Sequence, residues 1–226
     1  MSKIRTLNDL NGRLSEDLVW RKKELSVLKG LIETNSFTQN KTNALIRSGI
    51  ALLYAHWEGY IKCAASAYLE FVSRQRNLRY CDLTYNFVAI AMKRKLNEAS
   101  TTNQSAIHNQ VIQFLMESME QRIDIPRDDV IKTGSNLSFD LFKQILELLG
   151  IDYRPYELKQ VLIDEQLRKR RNQIAHGEYL DVDKVSYQKL HQEIIGMMDL
   201  FKDQIENYAG EELYRRSSKR SNEHEA

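Results

Sequence analysis

The chain has 226 residues, 42% hydrophobic and 28% charged, with a formal net charge of +2; that supports one substantial core but not a polycation, so nucleic-acid affinity would have to come from local patches. Two prolines and nine glycines leave long stretches free to stay helical, and Cys63 and Cys81 lack the spacing of a metal site or a disulfide framework. Met1-Ser2-Lys3-Ile4-Arg5 lacks a signal-peptide core and no apolar run reaches the ~18 residues of a membrane span, so a cytoplasmic protein with no membrane association is expected.

From about Thr6 to about Thr34 the pattern is helical. Leu18, Leu25 and Ile32 recur every seven residues, and Leu7, Leu14 and Leu28 fill the alternate seam, interrupted by Asn11 and Arg21. This predicts one arm of an antiparallel hairpin or a dimer contact, here taken as an N-terminal helical extension over residues 1–36. Asn35-Ser36 and Gln39-Asn40 mark a turn. A second helix, about Thr42 to about Arg74, places Ile46, Ile50, Leu53, Tyr54, Trp57, Ile61, Ala64, Ala65, Tyr68 and Val72 on one face. His56 points away from that face and is expected at the surface. Glu58, on the shoulder of the stripe near Arg47 and Lys62, calls for a cation; Arg171 or His176 would serve, and so would an ordinary helix–helix salt bridge.

Two shorter helices follow, about Leu83 to Glu98 and about Gln104 to Gln121, the first with a solvated Lys93-Arg94-Lys95 cluster. From Arg122 to about Asn136 the pattern lapses around Pro126 and Gly134, as an irregular loop or a short hairpin. Ser138 then caps a helix from Phe139 to Leu149 that ends at Gly150. Asp183 is an N-cap for a last helix, about Lys184 to Tyr208, whose apolar side holds Val185, Leu190, Ile194, Ile195, Met198 and Phe201. Residues 210–226 have little apolar content beyond Leu213 and Tyr214 and read as a flexible charged tail. Residues 1–209 form a single all-α domain.

Between these last two helices lies Arg168-Lys169-Arg170-Arg171-Asn172-Gln173-Ile174-Ala175-His176-Gly177. If residues 156–175 form one helix, Tyr156, Ile163, Leu167 and Ile174 make an apolar stripe and Arg171 sits on its shoulder, roughly 60° from the centre. His176 would lie roughly 140° round from Arg171 on a continuing helix. For the two to share a site, either the chain leaves the helix near Ala175, with Gly177 as a natural exit residue, or a second copy of the helix supplies the missing half. A guanidinium binds phosphate oxygens through fixed forked donors, and an imidazole takes or gives protons near neutral pH. Together they suit RNA phosphodiester cleavage, where the 2′-hydroxyl is the nucleophile and no metal or other cofactor is needed. An Arg-rich helix end before His and Gly is also ordinary C-capping. No Gly-rich phosphate loop, zinc-binding His-Glu-x-x-His, paired Cys-x-x-Cys or Gly-x-Ser-x-Gly elbow is present to point to another enzyme class.

Arg171 to His176 resembles the arginine–histidine signature of the HEPN superfamily. Three stretches are similar to its MAE-like branch from prokaryotic toxin–antitoxin and phage-defence loci. They are Trp57-Glu58, the run Ile131 to Phe139 with the capped helix ending in Leu149-Gly150-Ile151-Asp152, and Arg171 to Gly177. The resemblance implies an all-helical bundle with a long N-terminal helix hairpin, and motif helices that meet at a homodimer interface. It implies metal-independent endoribonuclease activity leaving 2′,3′-cyclic phosphate ends, carried by Arg171 and His176, with Asn172 orienting the histidine and Glu58 in support. Arg168, Lys169 and Arg170 would bind RNA, and a cognate antitoxin or defence-system protein would be a partner. A non-catalytic nucleotide-, RNA- or partner-binding HEPN domain is the alternative. Where some HEPN toxins carry a modifiable tyrosine two residues after the histidine, this chain has Glu178, with Tyr179 next.

Overall fold

The computed structural model describes residues 3–34 and 37–216, and among them the regular structure is helical, with two isolated bridges and no strand. Helix α1 (Leu7–Glu33) opens on a capping box: the Thr6 hydroxyl accepts from the Asp9 N–H, and the Asp9 carboxylate accepts from the Thr6 N–H. Helix α2 (Gln39–Ser73) returns beside it, starting earlier than the sequence indicates because Thr38 takes the N-cap and Gln39-Asn40 form its first turn. Asn35 and Ser36 lie outside the described residues. Contacts of Ile4 with Glu70 and of Arg21 with His56 make the pair antiparallel. Helix α7 (Lys184–Gly210) packs on both, again antiparallel to α1, through Lys22–Asp199 and Gln188–Glu33.

Helix α1 is therefore one arm of the expected antiparallel hairpin, packed into the core. Leu10, Leu14, Leu18, Leu25 and Ile32 are buried in the same core as Ile50, Trp57 and Met198, while Leu7 stays exposed. Because α1 covers the back of α2, the helix is buried on more than its apolar stripe. That overturns the expected surface position of His56, which is 3% exposed. Arg21 lies 3.4 Å from its Nδ1, so Nδ1 accepts and Nε2–H donates to Glu24 at 2.6 Å. The network holds a neutral imidazole between a cation and a carboxylate.

Burial lowers the pKa of His56 more than Glu24 raises it, and His191, also buried, is lowered for the same first reason. A histidine whose folded pKa lies below its unfolded value near 6.5 takes up more protons when unfolded. Its stabilising contribution is complete above that value and lost as pH falls through the folded pKa. We expect the melting temperature to drop between neutral pH and pH ~5, and His56→Gln to flatten that drop. A wild-type profile no steeper than that of the variant would contradict this.

Helices α3 (Tyr85–Ser100) and α4 (Ser105–Glu117) form a hairpin at one side, with Lys95 lying 5.0 Å from the Phe114 ring centroid. Residues 122–136 are irregular and pair only through the Arg79–Arg122 bridge, while burying Ile123, Ile125, Val130 and Ile131. Helix α5 (Phe139–Leu149) has its expected Ser138 cap and ends at Gly150 in the left-handed region, φ 70°. Asp183 caps α7 as expected, but Val185 faces solvent; Tyr187, Met197 and Ile205 share the burial with Leu190, Ile194, Met198 and Phe201. The first part of the expected tail is packed: Tyr214 is buried against Phe71, its carbonyl accepts the Thr84 N–H, and the Arg216 N–H donates to Asp82. Residues 217–226, the rest of that tail, lie outside the described residues.

Candidate nucleic-acid interface

The motif segment is not the regular helix that its periodicity predicts. It opens as a 3-10 helix, Arg154–Lys159, widens into a π-helical run, Leu162–Lys169, and closes as α6, Arg170–Ala175. The overwound start and underwound middle offset each other. Tyr156, Ile163 and Leu167 therefore still face inward, and Ile174 packs partly against the core.

Arg171 emerges from the first turn of α6 onto a prepared seat. Its guanidinium carbon stands 4.4 Å from the centroid of the Tyr54 ring. One terminal nitrogen donates to the Asn172 side-chain oxygen at 2.8 Å and the other to the Ser135 carbonyl at 3.1 Å. Asn172 in turn donates to Asn136 at 3.3 Å. The Tyr54 hydroxyl accepts the Leu137 N–H and lies beside the Glu58 carboxylate. Burial, and then Glu58, push the Tyr54 pKa well up, so the phenol remains a neutral donor. The stretches singled out in the sequence thus converge. Trp57 builds the core against Phe142 at 5.1 Å, and Glu58 steadies the tyrosine that carries Arg171.

Glu58 makes no ion pair with Arg171 or His176 among the described residues; its carboxylate lies beside the Tyr54 hydroxyl. Arg21, Arg74 and Arg168 each have a carboxylate partner. Arg171 is held by a carbonyl, an amide and an aromatic face, and among the described residues it has no carboxylate within ion-pair distance. Its positive charge is oriented yet uncompensated.

His176 is exposed at the end of α6. Its N–H bonds to Asn172 O at 3.0 Å, Gly177 N–H to Ile174 O at 3.1 Å, and Glu178 N–H to Gln173 O at 2.9 Å. This is a Schellman ending with Gly177 left-handed at φ 75°. The chain therefore leaves the helix after His176, and helical geometry keeps it about 140° round from Arg171. The Asn172 side chain is bonded to Arg171 and Asn136, not to the histidine ring. Of the expected RNA-binding residues, Arg168 pairs with Asp164 at 3.1 Å and Lys169 with Glu165 at 2.6 Å; Arg170 has no such partner among the described residues. Asp164 also accepts from Phe139 N–H at the start of α5, which gives Arg168 a structural tie.

The sequence places Tyr54 on the buried stripe, Arg47 near Glu58, and Ser135 and Asn136 in the run before α5, but gives none of them a part in the site. Arg47 donates to the Glu178 carbonyl at 2.8 Å and clamps the exit from the motif. The available signal was Tyr54 one helical turn before Glu58, where the two side chains meet.

A helical bundle that displays an oriented arginine and an exposed histidine at one helix end defines a class of domain. A family model for MAE_28990-like HEPN domains matches residues 10–214, and the chain belongs to that family. No curated protein and no solved structure matches it. Membership supports a general HEPN role in RNA binding or nuclease action. No helix among the described residues is long and apolar enough to cross a membrane.

Proposed function

We propose that the protein is a metal-independent endoribonuclease, a toxin or defence effector, working as a homodimer on RNA. The observation that carries this reading is the guanidinium of Arg171, fixed on Tyr54 by neutral acceptors with no carboxylate partner among the described residues, on the same short helix that ends at the exposed His176. Arg171 binds a non-bridging oxygen of the scissile phosphate. His176 takes the proton of the 2′-hydroxyl as the 2′-oxygen forms a bond to phosphorus, and the bond to the 5′-oxygen breaks as that oxygen gains a proton. The products are a 2′,3′-cyclic phosphate and a 5′-hydroxyl.

The dimer supplies what one helix does not. With the two groups on different sides of α6, a two-fold pairing of motif segments sets Arg171 of one protomer against His176 of the other. Leu158 and Val161, 96% and 63% exposed on the motif segment, offer apolar surface for that pairing.

The test is to incubate purified protein with single-stranded RNA in excess EDTA and identify the ends. Cyclic phosphate with 5′-hydroxyl termini is expected. Salt-dependent RNA binding with no cleavage by folded, dimeric preparations would instead mark a non-catalytic RNA-binding domain.

A further inference from the structure

At the far end of α2 from the motif, a cleft of about 640 Å³ is lined by Arg5, Arg74, Arg76, Arg122 and Arg127, with Asp124 as the one carboxylate among its lining residues. Arg74 is tied to Glu70 at 2.6 Å. Arg5, Arg76, Arg122 and Arg127 are exposed, and none is in an ion pair among the described residues. The overall net charge is only +2, so this is a local concentration of positive charge. No aromatic side chain lines the cleft, so it offers no platform for stacking a base.

A second cleft of about 530 Å³ shares Arg127 with it and is also lined by Gly134 and Ser135. Ser135 is the residue whose carbonyl holds Arg171. Lys62 and Lys132 line this second cleft together with Glu70, Asp128 and Asp129, so it is close to neutral and the charge is concentrated in the first. Counted along α2 from Tyr54 to Arg74, the arginine cleft lies about 30 Å from the motif.

We propose that the arginine cleft is a second RNA site, which grips the phosphate backbone of a single strand whose scissile phosphate lies at Arg171. The multiplicity of guanidiniums suits successive phosphates, and the lack of an aromatic platform makes the grip independent of sequence. The strand's length, rather than its bases, then decides how well it is held. The proposal takes the motif as the cleavage site from the reading above, but the grip itself needs no chemistry.

The test measures binding of a 2′-O-methyl single-stranded RNA, which lacks the attacking hydroxyl, to the wild-type protein and to Arg76→Gln/Arg127→Gln. Neither guanidinium makes a hydrogen bond with a described residue, and an unchanged melting curve confirms an intact fold. Loss of two phosphate contacts should weaken binding about tenfold at ~0.15 M salt and make the log–log salt slope shallower by ~1.4. A fragment too short to leave the motif should bind both proteins alike. Equal affinity and slope for the long RNA would overturn the proposal. So would tight binding of a free nucleoside triphosphate that excludes RNA and depends on the same two arginines, since that describes a nucleotide pocket. A protein that never cleaves but shows the tenfold difference refutes the nuclease reading alone; one that cleaves without it refutes the arginine cleft alone.

Discussion

His176→Ala is expected to lower RNA cleavage by about 10²–10⁴-fold, the range for removing a general acid–base group, with stability changed by no more than ~0.5 kcal/mol. The imidazole is exposed and makes no hydrogen bond or ion pair with another described residue, so its removal leaves the packing intact. Arg171→Ala should lose comparable activity and also cost about 1–2 kcal/mol, because its guanidinium ties the loop at Ser135 to the motif helix. Mixing the two inactive variants separates a shared site from a private one. If Arg171 of one protomer works with His176 of the other, a mixed dimer contains one intact site and recovers activity. If both groups act within one protomer, every site in the mixture is defective. Full activity in either single variant would end the assignment.

Phe142→Ala should have the largest effect on stability, about 3–5 kcal/mol by denaturant titration. The ring lies at the junction of three helical layers, with centroids 5.1 Å from Trp57, 4.9 Å from Tyr156 and 5.8 Å from Phe201, all edge-on. Tyr156 is the first buried anchor of the motif segment, so the cavity opens beneath the element that aims Arg171. Cleavage should therefore fall before global unfolding sets in, and Phe142→Leu should recover much of both properties. A loss below ~1 kcal/mol for the alanine variant would show that this aromatic junction is not where the bundle is held together.

The fold was largely legible in the sequence because long helices report their buried side through period and their ends through caps. Ser138, Gly150 and Asp183 all stand where their chemistry indicates. The buried position of His56 is not legible for a physical reason. The periodicity of one helix shows its most apolar face, but not that a second helix covers the other side with Arg21 and Glu24. Tyr214, a single buried aromatic among polar neighbours, docks residues 210–216 without any pattern to announce it. At the site, the motif residues were recognisable by type and order. Their seat was not, because Tyr54 meets Arg171, and Ser135 and Asn136 meet the motif, across sequence separations no local rule spans.

The π-helical run has a consequence for how this motif tolerates change in chain length. A π turn accommodates more residues than an α turn, so the run holds slack that an ordinary helix lacks. Removing one residue between Ile163 and Lys169 would let the run rewind as α-helix, and its tighter turns would take up most of the loss. The same deletion from an ordinary α-helix would swing everything downstream by about 100° and carry the guanidinium off its aromatic shelf. The wide turn thus buffers the aim of the motif against a change in residue count.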